Sequence, residues 1–572
     1  MTICGLKLTH DGAVALIDED RLVCSIELEK INNNLRYSMI EDTRVIEDIL
    51  EQHGYKLTDI DHFAIDGWGG YNAEELAIQP RLRIGTDCNY LSVDDGKFAM
   101  ELQVAQYQER NLQTKLSDGL HFDGLRINNV SYPYTSYLHV TGHILSAYCT
   151  SPFAARKESS FVLVWDGGMY PCLYEVDYQQ STITPHGPIF LLIGNIYTIF
   201  SQYYGPFKIA GSFAKDNLSV AGKVMAYIAK GSCRKDLFPI FRSIMNAGFE
   251  NTMGYANVFA REFRRIMEKE GLHYCDEDIL RTFHEFIGEL LIEKLAKKIK
   301  RINKATANLC IAGGCGLNIK WNSLIRNAGL FKDVYVPPFP NDSGSAIGAA
   351  CAKRYELTGK LDLDWNVYCG PGINKNAPSA GWNSRACDIK ELAILLHETK
   401  DPVVFLNGKA ELGPRALGNR SIIAAACSPD IKSVLNRIKG REEYRPVSPI
   451  CLESHSASLF LPGTSDPFML FDHMVKDEWL DKIPGVIHLD NTARLQTVNA
   501  KQNPVVFRLL DEYYRLSGIP LLCNTSANYN GKGFFPDVHS ATAWDGTDFV
   551  WCENTLYFKN GSESRINEIF EN

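Results

Sequence analysis

The feature that most limits the folds open to this chain is a strand–turn–strand unit that occurs twice. Ile3 to Leu8 is apolar at alternate positions, His10-Asp11-Gly12 turns the chain, and Ala13 to Ile17 returns it. A second turn, Asp18 to Asp20, precedes Leu22 to Glu27. The arrangement reappears at 161–176, as FVLVW, then Asp166-Gly167-Gly168, then CLYEV. Two copies this far apart, with no short period of 20–50 residues, predict a duplicated α/β core and not a solenoid. Between the copies, Ile40 to His53 and Leu138 to Cys149 carry helical apolar spacing.

With 572 residues, the chain has room for two to four domains at roughly 100–200 residues each. Hydrophobic residues make up 45% and charged residues 22%, a globular balance that excludes disorder, collagen and coiled coil. Lys plus Arg total 59 against 68 for Asp plus Glu, a formal charge of -9. A net acidic chain is a poor general binder of nucleic acid or anionic membrane, so neither is expected as a partner. The sixteen cysteines are scattered and form no C-x-x-C pair, which excludes a zinc ribbon and a thioredoxin motif. The start, MTICGLKLTHDG, lacks the pattern of a signal peptide. The longest uncharged run, Tyr178 to Phe207, is broken by Pro, Gly, Gln and Asn. A cytoplasmic protein with reduced thiols is the expectation.

Further along, Asp278 to Ile302 places Leu280, Phe283, Phe286, Leu290, Leu295 and Ile299 near helical spacing. It leads into LCIAGGCGLN (309–318), an apolar strand ending in a glycine-rich turn. VYVPPFPNDSGSAIGAA (334–350) reads as a strand, a proline-rich loop and a small-residue helix start. Residues 360–385 are rich in Gly, Pro and Asn and read as a linker. The expected division is a first domain over 1–365, itself two subdomains, and a second over 386–572.

Three turns carry candidate chemistry in the first domain. Glycines such as Gly167 and Gly168 let backbone amides approach phosphate oxygens, and Asp166 beside them can hold a divalent cation. A DGG turn is also a plain hairpin turn. Gly313-Gly314-Cys315-Gly316-Leu317-Asn318 fits neither G-x-G-x-x-G nor a Walker loop. The turns at 10–12, 166–168 and 313–316 together match the layout of the actin/sugar-kinase superfamily, in which nucleotide lies between duplicated subdomains. His139 and His143, four apart on a predicted helix, can share one metal, with Asp342 of the PNDSGS loop as the best carboxylate to complete the site. No Glu follows the first His, so the zincin mechanism is not supported. Two histidines satisfied by hydrogen bonds are the other reading of the pair. His10 is a candidate general base, or an ordinary surface residue beside a turn.

In the second domain, Lys409 to Arg445 carries eight basic and four acidic residues, net +4, which leaves -13 for the rest. GPRALGNRS sets Arg415 and Arg420 around a small-residue turn, where guanidinium forks can grip phosphate or carboxylate oxygens. A solvated helix face is the other reading of this stretch, and Arg437, Lys439 and Arg441 also suit one. CNTSAN (523–528) follows an apolar strand and offers donors for an anion nest.

The ordered set of motifs resembles the nodulation and antibiotic-biosynthesis O-carbamoyltransferase family over nearly the whole chain. The landmarks are LTHDGA, HVTGH, WDGG, AGKVMA, GGCGLN and NDSGSAIGAA, followed by GPRALGNRS, RIKGREEYRPVSP, RLQTV and CNTSAN. The resemblance implies an actin-like (ASKHA) duplicated N-terminal domain and a YrdC-like α/β C-terminal domain. It implies that carbamoyl phosphate and ATP give carbamoyl adenylate in the smaller domain. The larger domain then transfers the carbamoyl group to a hydroxyl of a small natural product or sugar, releasing AMP.

By the same resemblance, Arg415, Lys439, Arg445, Arg494, Asn524 and Ser526 bind carbamoyl phosphate and the phosphates of ATP. His139, His143, Asp342 and Asp166 hold a divalent metal, expected to be iron, and Mg2+ accompanies ATP. Gly167, Gly168, Gly222, Lys223, Gly313, Gly314 and Asn318 line the nucleotide pocket, and His10 deprotonates the acceptor hydroxyl. The chain departs from the family in three places. The basic segment after the first strands reads EKINNNLRYS, with Arg36 as the substitute for the family's lysine. Met169-Tyr170 replaces an acidic residue after the DGG turn, and Gly531-Lys532-Gly533 stands where the family has Gly-Glu-Pro. A sugar kinase of actin fold and a non-catalytic nucleotide switch are the competing readings.

Overall fold

The computed structural model describes residues 1–67, 81–84, 91–92, 100–103, 116–211, 213–215, 217–247, 253–303 and 307–570. The fold is α/β with mixed sheets, and it divides into two compact units. Unit 1 comprises Met1–Leu6, Glu41–Arg44 and Leu57–Asp364; unit 2 comprises Lys7–Ile40, Val45–Lys56 and Trp365–Asn572.

In unit 1 the strands Thr2–Lys7, His62–Asp66 and Val130–Tyr137 run parallel side by side, and Leu120–Ile127 pairs antiparallel with the last. A second set repeats the order, with Ser160–Val164, Asn308–Ala312 and Val334–Tyr335 parallel in sequence. Cys172–Asp177 and Thr182–Pro188 extend this second sheet as an antiparallel hairpin. Parallel strands are covered on both faces and therefore read as near-continuous apolar runs. Ser160–Val164 and Asn308–Ala312 are buried throughout.

The helix expected near 278–302 spans Asp276–Ile302. Acidic residues sit in its first turn and Lys300 and Arg301 in its last, each complementing the helix dipole. Its predicted face is the one that packs, because Leu280, Phe283, Phe286, Leu290 and Leu295 are all buried. Phe283 stacks on Phe200 with centroids 3.9 Å apart.

Helix His139–Cys149 packs against helix Ser345–Thr358 at very close range. A Cβ on Gly348 would stand 1.9 Å from the Gly142 carbonyl oxygen, so only hydrogen fits there. Gly5 meets the second helix the same way, with a Cβ position 2.1 Å from the Ala346 carbonyl oxygen. Among the described residues no helix is long and apolar enough to cross a membrane.

Unit 2 is built on an eight-stranded mixed sheet. Its order is Trp382–Ala386, Thr555–Lys559, Phe549–Cys552, Val403–Leu406, Arg420–Ala424, Leu521–Ser526, Ser448–Leu452 and Gln496–Val498. Side chains alternate between two cores, as a strand requires. Val403 and Phe405 pack on one face with helices Ile389–Thr399 and Pro504–Ser517, whereas Val404 and Leu406 pack on the other with Ile431–Ile438. The sheet corrects part of the linker reading of 360–385. Trp382–Ala386 is an edge strand paired with Thr555–Lys559, and Asn383, Ser384 and Ala386 along it are exposed. The same unit contains the antiparallel hairpin Ala13–Asp18 with Arg21–Glu27, a pair that the expected division assigns to the first domain.

The Gly142–Gly348 contact yields a test. Gly348→Ala is expected to lower the thermal midpoint of unfolding by several degrees, about 1–3 kcal/mol of overpacking. An unchanged midpoint would show that the two helices can part without cost.

Candidate metal centre and anion pocket

Unit 1 gathers a buried cluster at one end of its first parallel strands. Asp66 closes the strand His62–Asp66 and lies in register with Tyr137 of the neighbouring strand. The helix starting at His139 follows immediately, so His139 Nδ1 comes to 2.8 Å from Asp66 Oδ2. Gly142, one turn on, has no Cβ to push this carboxylate away; a Cβ there would lie 2.8 Å from Asp66 Oδ1. His143 shares the helix face, and its Nε2 stands 2.9 Å from His139 Nε2. The close packing of helix Ser345–Thr358 brings up Asp342, whose Oδ1 is 3.4 Å from His139 Nε2 and 3.5 Å from His143 Nε2.

Asp166 follows the strand Ser160–Val164 and completes the group. One ligand atom from each of His139, His143, Asp166 and Asp342 lies within 4.8 Å of every other, and all four residues are buried. The donor set fits a divalent cation. Atoms on adjacent positions around an ion with bonds of about 2.1 Å lie about 3 Å apart, the spacing of the two imidazole nitrogens. Asp66 meets His139 at the ring nitrogen opposite the cluster, the place where a carboxylate orients a metal-binding imidazole.

The two glycine turns meet at Asp166. Its Oδ1 accepts a hydrogen bond from the Gly314 amide at 2.6 Å, and the Cys315 amide donates to the Trp165 carbonyl at 3.1 Å. Gly313 has φ +86°, and a Cβ would fall 2.3 Å from the Trp165 carbonyl oxygen, so conformation and space both require glycine. Gly167 closes on Asn195, whose amide donates to the Gly167 carbonyl at 2.9 Å. Gly168 is half-buried beside it. Asn318 caps helix Ile319–Asn327 by accepting from the Trp321 amide at 3.2 Å. Gly222 and Lys223 lie on helix Val220–Tyr227, which packs against helix Ile196–Ser201 just after Asn195.

Unit 2 holds a second site of opposite character. Arg36, Arg415, Lys439, Arg441, Arg445 and Arg494 lie close enough to depress one another's proton affinity. Burial, then Arg36 and Arg445, push Arg415 down to about 10; burial, then Arg445, push Arg441 down to about 9. Burial also lowers Lys439 and Arg494 well below their ordinary values, with neighbouring arginines adding to it. Arg36 is the exception, because Glu29 at 3.8 Å holds its charge against burial. Its guanidinium lies over the Tyr37 ring, 5.0 Å from the centroid.

The pocket's scaffold is the strand Leu521–Ser526. Asn524 donates to the Ala416 carbonyl at 3.0 Å and to Gln496 Oε1 at 2.8 Å, while its own Oδ1 is buried without a hydrogen-bond partner among the described residues. Lys439 donates to Ser526 Oγ at 3.2 Å, Asn528 Oδ1 at 2.7 Å and the Asn528 carbonyl at 3.0 Å, and also to the Ser526 carbonyl. Arg441 reaches Thr525 Oγ1 at 3.0 Å, and Arg494 Nε donates to Ser448 Oγ at 2.9 Å. Arg445 pairs loosely with Glu442 at 3.6 Å.

One sequence expectation fails here. Arg420 does not grip an anion: its guanidinium is spent on the carbonyls of Asn407, Gly408, Pro371 and Asn419, each at 3.0–3.1 Å. Arg415 is the arginine of that turn that faces the cationic group. Arg441, Asn528 and Asp66 are site residues that the sequence reading did not assign to a site. His10 belongs to unit 2, its Nδ1 3.1 Å from Asp11 Oδ2 and its side chain 46% exposed.

The two arginines of one turn should respond oppositely to removal. Arg420→Ala removes a buried guanidinium and strands the four carbonyls it bonds, and is expected to cost roughly 2–4 kcal/mol. Arg415→Ala removes a repelled cation and should leave the unfolding midpoint unchanged or raised when no anion is present. Equal destabilisation by both would contradict their assignment.

Comparison with known proteins shows the family. Residues 2–351 match the model for the carbamoyltransferase N-terminus, and residues 394–559 match the carbamoyltransferase C-terminus. Nodulation protein U of Rhizobium tropici is 46% identical over 578 residues, covering 98% of this chain and 96% of its own. A 3'-hydroxymethylcephem-O-carbamoyltransferase of Streptomyces clavuligerus is 32% identical over 536 residues, covering 93% and 94%. The activator of 2-hydroxyisocaproyl-CoA dehydratase from Clostridium difficile with bound ADPNP aligns at a TM-score of 0.27 and 14% identity, over 62% of this chain and 97% of its own, too slight a likeness to argue from. The chain is an enzyme, and it belongs to the carbamoyltransferase family, among the O-carbamoyltransferases.

Proposed function

We propose that the chain is an ATP-dependent O-carbamoyltransferase working through carbamoyl adenylate, with a small hydroxyl compound as acceptor. The observation that carries this reading is the cluster of like-charged side chains in unit 2, half-buried arginines around the buried Lys439, close enough to repel one another. Such a group is stabilised by a polyanion, and carbamoyl phosphate with the triphosphate of ATP supplies one. In this reading unit 2 is the YrdC-like half and the duplicated strand set of unit 1 is actin-like.

Carbamoyl phosphate is hydrolysed to carbamate and phosphate in the cationic pocket. A carbamate oxygen attacks the α-phosphorus of ATP, the bond to the β-phosphate breaks, and pyrophosphate leaves with that electron pair. Arg415, Arg445 and Arg494 take up the phosphate charge, with Asn524 and Ser526 as polar partners and Mg2+ accompanying ATP. Lys439 fixes the Ser526–Asn528 turn against them. Carbamate carries negative charge and is a poor electrophile; adenylation gives it a leaving group, and enclosure limits its decomposition.

In the second stage the acceptor hydroxyl attacks the carbamoyl carbon and AMP leaves. The hydroxyl proton passes to a base as the oxygen attacks, the role that the family resemblance gives His10. Gly167, Gly168, Gly313 and Gly314 present backbone to the adenylate. His139, His143, Asp342 and Asp166 would hold the divalent ion, and two imidazoles with carboxylates and no thiolate suit iron. Bound there, the ion supplies Lewis-acid polarisation of the carbamoyl oxygen or the leaving phosphate.

The partial reactions separate the two sites. With ATP, carbamoyl phosphate and ferrous ion but no acceptor, the protein should release pyrophosphate and accumulate carbamoyl adenylate. Arg415→Ala is expected to abolish this step. His139→Ala should spare it, bind less metal by elemental analysis, and fail to pass the carbamoyl group to a hydroxyl acceptor. ADP as the product would support a kinase instead, and equal loss of both stages in His139→Ala would sink the two-site assignment.

A further inference from the structure

Arg415 has an unusual dependence on its backbone. Its Nε is buried with no hydrogen-bond partner among the described residues, and the charges that act on it are chiefly repulsive. Where its guanidinium stands is therefore set by the loop that carries it. That loop is held from two directions, both within unit 2.

From inside, Glu411 is fully buried, and its Oε1 accepts the amides of Leu417, Asn419 and Arg420, winding the loop around one carboxylate oxygen. The second hold comes from the N-terminal segment. Lys30, 2% exposed, donates to the Glu411 carbonyl at 2.8 Å, the Gly413 carbonyl at 2.6 Å and Glu27 Oε1 at 2.7 Å. Glu27 Oε1 in turn accepts the Gly413 amide at 2.7 Å. The ammonium also lies over the Phe534 ring, 4.9 Å from its centroid. Three donors thus meet three acceptors, and two of those acceptors are main-chain oxygens within the three residues before Pro414.

A buried ion pair seldom adds net stability over an apolar replacement of the same shape, but it fixes geometry well. Two charges spent on the main chain of Glu411 and Gly413 make sense as a locating device. We infer that Lys30, with Glu27, is a positioning residue for Arg415: the pair clamps residues 411–413 and so places the Arg415 guanidinium in the anion pocket. The inference rests on the reading of that pocket as a phosphate site. It gives the EKINNN segment a role distinct from that of Arg36, which faces the pocket itself.

Calorimetric binding of pyrophosphate to the full chain tests this. Wild type should bind, and Arg415→Ala should bind more weakly. Lys30→Met should bind about tenfold more weakly than wild type, the scale of one misplaced charge-assisted hydrogen bond. In the Arg415→Ala background, adding Lys30→Met should then cost nothing further, because the group it positions is gone. Wild-type affinity in Lys30→Met, or an undiminished loss in the Arg415→Ala background, would overturn the inference while leaving the pocket intact. No binding by wild type, or full affinity in Arg415→Ala, would overturn the pocket reading and this inference with it. If Lys30→Met does not fold, Glu27→Gln, which keeps an acceptor for the Gly413 amide but removes the negative charge, is read in the same way.

Discussion

Repulsion among clustered, half-buried cations is the constraint on which the anion pocket of unit 2 depends. Arginine and lysine lose solvation when buried and raise one another's energy at short range. Arg415, Arg441 and Arg494 do both at once. A fold tolerates such a group only if the surrounding structure fixes it and a ligand of opposite charge relieves it. The sheet beneath provides the first, through Asn524, Ser526 and Asn528. The phosphates of carbamoyl phosphate and ATP provide the second in the proposed reaction. Unit 1 solves a different problem by related means: two imidazoles and two carboxylates converge where small residues let helices approach within contact of main chain.

In the proposed reaction the two sites divide the work of a carbamoyl transfer that first activates a poor electrophile. Forming an anhydride from carbamate and ATP is chiefly a matter of neutralising phosphate charge, which arginines do well. Delivering the carbamoyl group to a hydroxyl needs a base and polarisation of a carbonyl, which histidines and a metal ion do well. The departure at EKINNNLRYS is consistent with this division. Arg36 stands with the cationic group, whereas Lys30 is buried away from solvent and bonded to main chain.

Much of this is legible in the sequence, for definite reasons. The strand pairs at 3–27 and 160–177 announce themselves by alternation and by the Asp-Gly turns between them. The spacing of His139 and His143 places them on one helix face, and Asp342 stands out in a loop between a strand and a small-residue helix. Asp66 is not legible, because what brings it to His139 is parallel strand register, which joins residues 73 positions apart. Arg420 misleads because its neighbours resemble those of Arg415; only the fold reveals four carbonyls bonded to the Arg420 guanidinium and, among the described residues, none bonded to that of Arg415. Nothing in the sequence around Glu27 and Lys30 signals burial; only the fold shows the pair enclosed against residues 411–413. Trp382–Ala386 carries weak strand propensity, and pairing with Thr555–Lys559 overrides it.

The central claim is that the cationic pocket joins carbamate to the α-phosphorus of ATP. Phosphorus-31 NMR of the full chain with ATP and carbamoyl phosphate, without acceptor, tests it most directly. The account predicts inorganic phosphate and pyrophosphate appearing in equal amounts, with one new acylated α-phosphate resonance and no ADP. Phosphate and ADP without pyrophosphate would contradict it.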